Sequence, residues 1–152
     1  MHSLIIVIIS IALFAALLSA GLNYVNTNTY LIRSYKGTIE SSAMNLASQF
    51  IAYENLKGFP LQESNWESEL FNISRFTPKS LDNTSWSYNN DSNGIYFCLS
   101  GSLKENQYKA YKEAELSLSG VAFVNSTCGQ LTTLDYTGTF PVSGAITIWI
   151  RN

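Results

Sequence analysis

An α+β fold, one long N-terminal helix packed on a small antiparallel sheet, is what three features of the sequence predict. The first is an uncharged apolar run, Leu4 to Leu22, that leads into an amphipathic stripe. The second is a change beyond Pro60 to short alternating segments broken by Asn, Ser and Gly. The third is a helical segment between the only two cysteines, Cys98 and Cys128. Helices gathered on one face of an antiparallel sheet give an α+β layout. The expected divisions are 1–25 for the apolar helix, 26–58 for its amphipathic continuation and 59–152 for the globular sheet domain.

The apolar run is interrupted only by Ser10, Ser19 and Gly21. As a helix its ~19 residues would rise ~28 Å, close to the hydrocarbon thickness of a bilayer. A cleaved signal has a shorter apolar core, a basic start and small residues before the cut. Here only Met1 and His2 precede Ser3, and Leu18 is poorly suited to a cut after Ala20. The run therefore reads as an uncleaved transmembrane anchor. Arg33 and Lys36 follow it and, by the positive-inside rule, pull against an external C-terminal part. The cysteines place that part outside nonetheless.

Leu31, Tyr35, Ile39, Ala43, Leu46, Phe50 and Tyr53 recur at steps of three and four, which is one face of an α-helix. Gly58 and Pro60 end it, as a C-cap glycine followed by proline does. Asn26 to Tyr30, "NTNTY", links the apolar and amphipathic halves. The stripe needs a partner, and the sheet domain is the expected one. Leu31, Tyr35, Ile39, Leu46, Phe50 and Tyr53 are the candidate packing residues.

In the domain, "WSYNNDSNGIYFCLS" (Trp86 to Ser100) reads as two strands around a turn from Asn89 to Gly94. "GVAFVNSTCG" is a short strand ending near Cys128. "GAITIWIRN" alternates, with Ile146, Ile148 and Ile150 opposite Thr147, Trp149 and Arg151, as a half-buried strand does. In "SLKENQYKAYKEAEL", Ser102 and Glu105 form an S-x-x-E capping box, with Tyr108, Tyr111 and Leu116 close together on the helix.

Composition excludes several functions. Net charge is −2 and no basic run occurs, so nucleic acid is not an expected partner. The single histidine is His2, which removes a Ser-His-Asp or Cys-His mechanism and, without a CxxC, a zinc site. Lys57, Lys79, Lys104, Lys109 and Lys112 read as solvated lysines rather than bases. Glu113 and Glu115, two apart on a helix, point in different directions, and Glu63, Glu67 and Glu69 border a solvated helical turn. Asn89, Asp91, Asn93 and Gly94 match the first half of a calcium loop, but Ser100 stands where a bidentate glutamate is needed. No metal, cofactor or catalytic residue is expected, and the chain is not expected to be an enzyme. Asn72, Asn83 and Asn125 lie in Asn-x-Ser/Thr sequons. The even cysteine count fits an oxidising compartment and one Cys98–Cys128 disulfide, with two unpaired core cysteines as the alternative.

An apolar helix, "LIIVIISIALFAALL", an amphipathic continuation, a small sheet domain and a disulfide near the C-terminus together resemble the type IV pilin-like proteins. These comprise pilins, minor pilins and type II secretion pseudopilins. The resemblance implies a structural subunit of a pilus or pseudopilus, held in the inner membrane with its C-terminal domain outside. From there it is assembled with other pilin-like subunits into a homo- or heteropolymer. Ala12, Ala15, Ala16, Ser19, Ala20 and Gly21 would then allow close helix approach, although such residues are also ordinary in a membrane helix. The glutamate usual near the family's mature N-terminus is missing: position 5 is Ile5, and matching the apolar runs places Ser3 there. That departure favours a minor or initiating subunit. The alternative is a non-polymerising, membrane-anchored periplasmic or extracellular binding or accessory protein.

Overall fold

The computed structural model describes residue 11 and residues 27–151. The chain forms two compact units, Met1–Leu31 and Ile32–Asn152. The predicted membrane span lies outside the described residues except for Ile11, which is helical and exposed. Among the described residues no helix is long and apolar enough to cross a membrane.

Helix α1 (Thr27–Lys57) is followed by the shorter α2 (Trp66–Ser74). Strands β1 (Thr84–Asp91) and β2 (Gly94–Leu103), helix α3 (Glu105–Ser117) and strands β3 (Ala122–Asn125) and β4 (Val142–Arg151) complete the order. The sheet is antiparallel throughout, with strand order β1-β2-β4-β3. The chain is thus α+β, with the long helix packed on a four-stranded sheet.

Period-two alternation sorts the strands onto two faces. Trp86, Tyr88, Ile95, Phe97, Leu99, Val124, Ile146 and Ile148 face the main core. They meet Ile39, Ala43, Leu46, Phe50 and Tyr53 of α1, Trp66 and Leu70 of α2, and Ala110, Tyr111 and Ala114 of α3. Tyr35 is partly buried against this core, whereas Leu31 is exposed, so the packed stripe starts at Ile32 and Tyr35. Gly58 caps α1 as expected: its φ is 73°, and its N–H donates to the Glu54 carbonyl at 2.8 Å.

The opposite sheet face carries a second, smaller core of Tyr96, Cys98, Ala145 and Trp149, with Phe123 and Cys128 against it. This corrects the half-buried reading of β4. Residues 144–149 are buried on both faces, because the chain around the Cys98–Cys128 disulfide covers the side opposite the helices. The Gly129 N–H donates to Thr147 Oγ1 at 2.9 Å, which satisfies that hydroxyl inside the cover.

Four local expectations are also revised. The turn between β1 and β2 is only Ser92–Asn93, because Asn89, Asn90 and Asp91 pair with Tyr96, Ile95 and Gly94. Ser102 does not cap α3, because β2 absorbs it opposite Ser143. The Lys104 N–H instead donates to Gln107 Oε1 at 2.8 Å, and the Gln107 amide reaches the Asp82 carbonyl at 3.0 Å. Leu116 is exposed, away from the buried Tyr111. The stretch bordered by Glu63, Glu67 and Glu69, "NWESELF", is helical as expected but not merely solvated, because it opens α2, which buries Trp66 and Leu70. Gly101 is required for a different reason: a Cβ there would lie 2.0 Å from the Asn83 carbonyl oxygen, where the chain enters β1.

Cys98 and Cys128 are bonded to each other and separated by 30 residues. A loop of that length stabilises a fold by about 2–4 kcal/mol through the unfolded chain. Replacing both cysteines by Ala is expected to cost that amount in urea unfolding. Mass spectrometry of unreduced protein should show the two peptides joined, and two free thiols would contradict the expectation of an oxidising compartment.

Candidate assembly surface

From Ile32 onward α1 has two unlike faces. The inner one is the core stripe, with two polar members. Ser42 Oγ both accepts the Lys79 N–H, at 3.1 Å, and donates to the Lys79 carbonyl, at 3.2 Å. That carbonyl also accepts Trp86 Nε1 at 2.9 Å, so one serine fastens the segment leading into β1. Gln49 is buried beside this stripe.

The outer face is a line of Ser34, Gly37, Ser41, Met44, Ser48, Ile51 and Asn55, spaced three, four, three, four, three and four. All seven are exposed and none is charged. Met44 is 62% exposed and Ile51 54%. Between them the small residues leave the backbone accessible, and a Cβ on Gly37 would touch nothing. The Ser41 hydroxyl donates to the Thr38 carbonyl at 3.2 Å, so its hydrogen bond is already made within the helix. Helices pack along a 3-4 line where its residues are apolar, and here Met44 and Ile51 are the apolar members.

Two ion pairs stand beside this line. Lys36 meets Glu40 at 3.0 Å, and Glu54 meets Arg151 of β4 at 2.9 Å. Tyr88 lies near the second pair. Its burial, with the Glu54 and Glu63 carboxylates adding to it and Arg151 opposing, pushes its pKa up to about 12. Burial likewise raises Tyr111 and, together with Glu69, Tyr53.

These shifts fix a pH dependence. The folded phenols keep their protons at pH values where the unfolded chain, titrating near 10, has lost them. Stability is therefore full below about pH 10 and falls as pH rises from there to about 12. Urea midpoints between pH 8 and 11.5 should drop on the alkaline side, less steeply in Tyr88→Phe. A flat profile would mean the phenols are not buried.

The β3 edge is engaged along its length and the β1 edge at its two ends. On β3, the Val124 N–H donates to Glu115 Oε1 at 2.7 Å, and the Val124 carbonyl accepts the Leu134 N–H at 2.8 Å. Asn125 Nδ2 adds a bond to the Thr132 carbonyl at 2.9 Å. Glu115 also accepts from the Thr133 hydroxyl and pairs with Lys112 at 2.9 Å, and Lys112 reaches Asp135 at the same distance. Burial works against the Lys112 charge, but hydrogen bonds to these two carboxylates prevail and raise its pKa. On β1, the Thr84 N–H donates to the Leu81 carbonyl at 3.1 Å, and the Asn90 N–H to Glu63 Oε1 at 2.8 Å. Strand-to-strand pairing with another chain is correspondingly restricted.

The other sequence candidates are scattered. Lys57, Lys79 and Lys104 are exposed, and Lys109 pairs with Glu105 at 2.6 Å. Glu113 is exposed while Glu115 is buried. Among the described residues no group of three or more His, Cys, Asp or Glu could hold a metal ion. Asn72 and Asn83 are exposed, whereas the Asn125 amide is committed to Thr132. Ala12, Ala15, Ala16, Ser19, Ala20 and Gly21 lie outside the described residues. The chain matches no known family, no curated protein and no solved structure.

Proposed function

We propose that this chain is a structural subunit of the pilin-like kind, assembled side by side through its N-terminal helix. The observation that carries the reading is the uncharged line on the outward side of α1. A helix face with exposed Met44 and Ile51, small residues between them and no charge is suited to packing against another helix.

The same 3-4 spacing continues backward in the sequence through Tyr30, Thr27, Asn23, Ala20, Ala16, Leu13, Ile9 and Ile6, again without a charge. At the level of sequence, the apolar segment and α1 thus share an uncharged 3-4 spacing. The engaged sheet edges support helix-mediated assembly over strand exchange. In this reading the subunit rests in the inner membrane, and assembly replaces lipid contacts with contacts between helices, where van der Waals packing of small residues is the driving term. The disulfide-braced sheet domain becomes the outer surface of the polymer, of either a pilus or a secretion pseudopilus.

Shearing native cells and probing the released filaments tests this directly. The chain is expected in the sheared fraction, and Ala16→Leu with Gly21→Leu should keep it in the inner membrane. Wild-type protein that never leaves the membrane fraction, or normal filaments from the double variant, would defeat the reading.

A further inference from the structure

On the sheet domain, a cavity of about 340 Å³ opens between α3, the end of β3 and the segment that leads into β4. Its walls include Tyr108, Leu134, Tyr136 and Val142, closed below by Ser143 and Gly144. We infer that this cavity is a binding site for a compact, uncharged aromatic molecule of about indole or phenol size, a role independent of helix assembly.

The chemistry of the walls selects that class. No carboxylate, ammonium, guanidinium or imidazole lines the cavity, so a charged ligand would lose its water with no opposite charge to meet. Most of the polar wall groups are already committed. The Tyr108 hydroxyl donates to the Leu134 carbonyl at 3.1 Å and accepts the Tyr136 N–H at 2.8 Å. The Tyr136 hydroxyl donates to the Thr139 carbonyl at 2.7 Å. Asn125 donates to the Thr132 carbonyl, and its Oδ1 accepts the Ser126 N–H at 2.7 Å. A sugar, which needs several free partners, would find few.

What remains available is carbon surface. Tyr108 and Tyr136 stand 6.2 Å apart at 65°, and each meets Phe140, at 5.8 and 5.6 Å. Rings set edge to face in this way leave faces and edges to which a further ring can be added. The bonds from Tyr108 to Leu134 and Tyr136 fix the wall before any ligand arrives, which lowers the ordering cost of binding. The volume falls at the small end of the range for ligand sites, enough for one bicyclic ring and not for a drug-sized or polymeric ligand.

Titration of the full chain in lipid nanodiscs with indole, read on labelled Leu and Val methyl groups, tests the site. Saturable shifts confined to Leu134 and Val142 are expected, with a Kd on the order of 1 mM for a ligand of about nine heavy atoms. Leu99, deep in the main core, should not move. Ser126→Trp, which fills the cavity from an exposed rim position, should abolish saturation. Leu134→Asn, which adds an unpaired amide to the wall, should weaken binding at least fivefold. Linear shifts spread over the chain, saturation that survives Ser126→Trp, or equal binding of methyl glucoside at these methyls would each overturn the assignment.

Discussion

Phe50→Ala is expected to cost about 3–5 kcal/mol of stability, the range for emptying an aromatic site in a core. Phe50 is fully buried on the inner face of α1, where the helix crosses β1 and β2. Its ring lies 6.0 Å from Tyr88 and 6.4 Å from Phe97, the latter edge to face. Phe97 in turn meets Tyr88 at 5.2 Å and Trp66 at 5.6 Å, so one ring joins α1, α2 and the first hairpin. Truncation leaves a void that rigid aromatic neighbours cannot collapse into. Since domains hold only about 5–15 kcal/mol in total, this single change should consume a large part of it. Denaturant unfolding followed by tryptophan emission measures the loss, and Phe50→Leu, which keeps most of the volume, should lose less than half as much. A loss below about 1 kcal/mol for the alanine variant would show that α1 is not integral to the core.

The inner face of α1 was legible in the sequence because Ile39, Leu46 and Phe50 are apolar at helical spacing and the signal is local. The existence of the first hairpin was legible for a similar reason, since "NNDSNG" must hold a turn, although only Ser92–Asn93 form it. Where reading failed, the deciding contact was distant. Nothing in "GAITIWIRN" shows that the chain near Cys128 will cover Thr147 and Trp149, so β4 looked half exposed. Ser102 is a good cap residue, but pairing with β4 claimed it, and Gln107 took over from within the helix. In α2 the glutamates Glu67 and Glu69 masked the Trp66 and Leu70 pair, which at i,i+4 was a readable signal. The aromatic cavity could not be read at all, since its walls come from four separated segments. The outward line on α1 escaped for a subtler reason. Its serines and glycine look like ordinary solvent-facing residues, and only the structure shows that Met44 and Ile51 stand exposed among them.

That line supplies the second large expected effect. Met44→Glu combined with Ile51→Glu should abolish assembly while leaving the isolated subunit as stable as before, within about 0.5 kcal/mol. Neither side chain belongs to the core, and glutamate is a good helix former, so the domain has no reason to respond. In a packed polymer the same positions would place two carboxylates against a neighbouring helix at every subunit. Desolvating an unpaired carboxylate costs several kcal/mol, and a polymer multiplies that cost along its length. Leu56→Glu is the matched control: Leu56 is 69% exposed on the same helix but lies off the 3-4 line, so filaments should survive it. Counting sheared filaments by immunoblot against membrane-retained subunit, with unfolding midpoints for all three proteins, separates assembly from folding. Normal filament yield from the double glutamate variant would mean that α1 faces solvent in the polymer and that only residues before it make the contact. Equal loss from Leu56→Glu would point to a general effect of charge on the helix rather than to a seam.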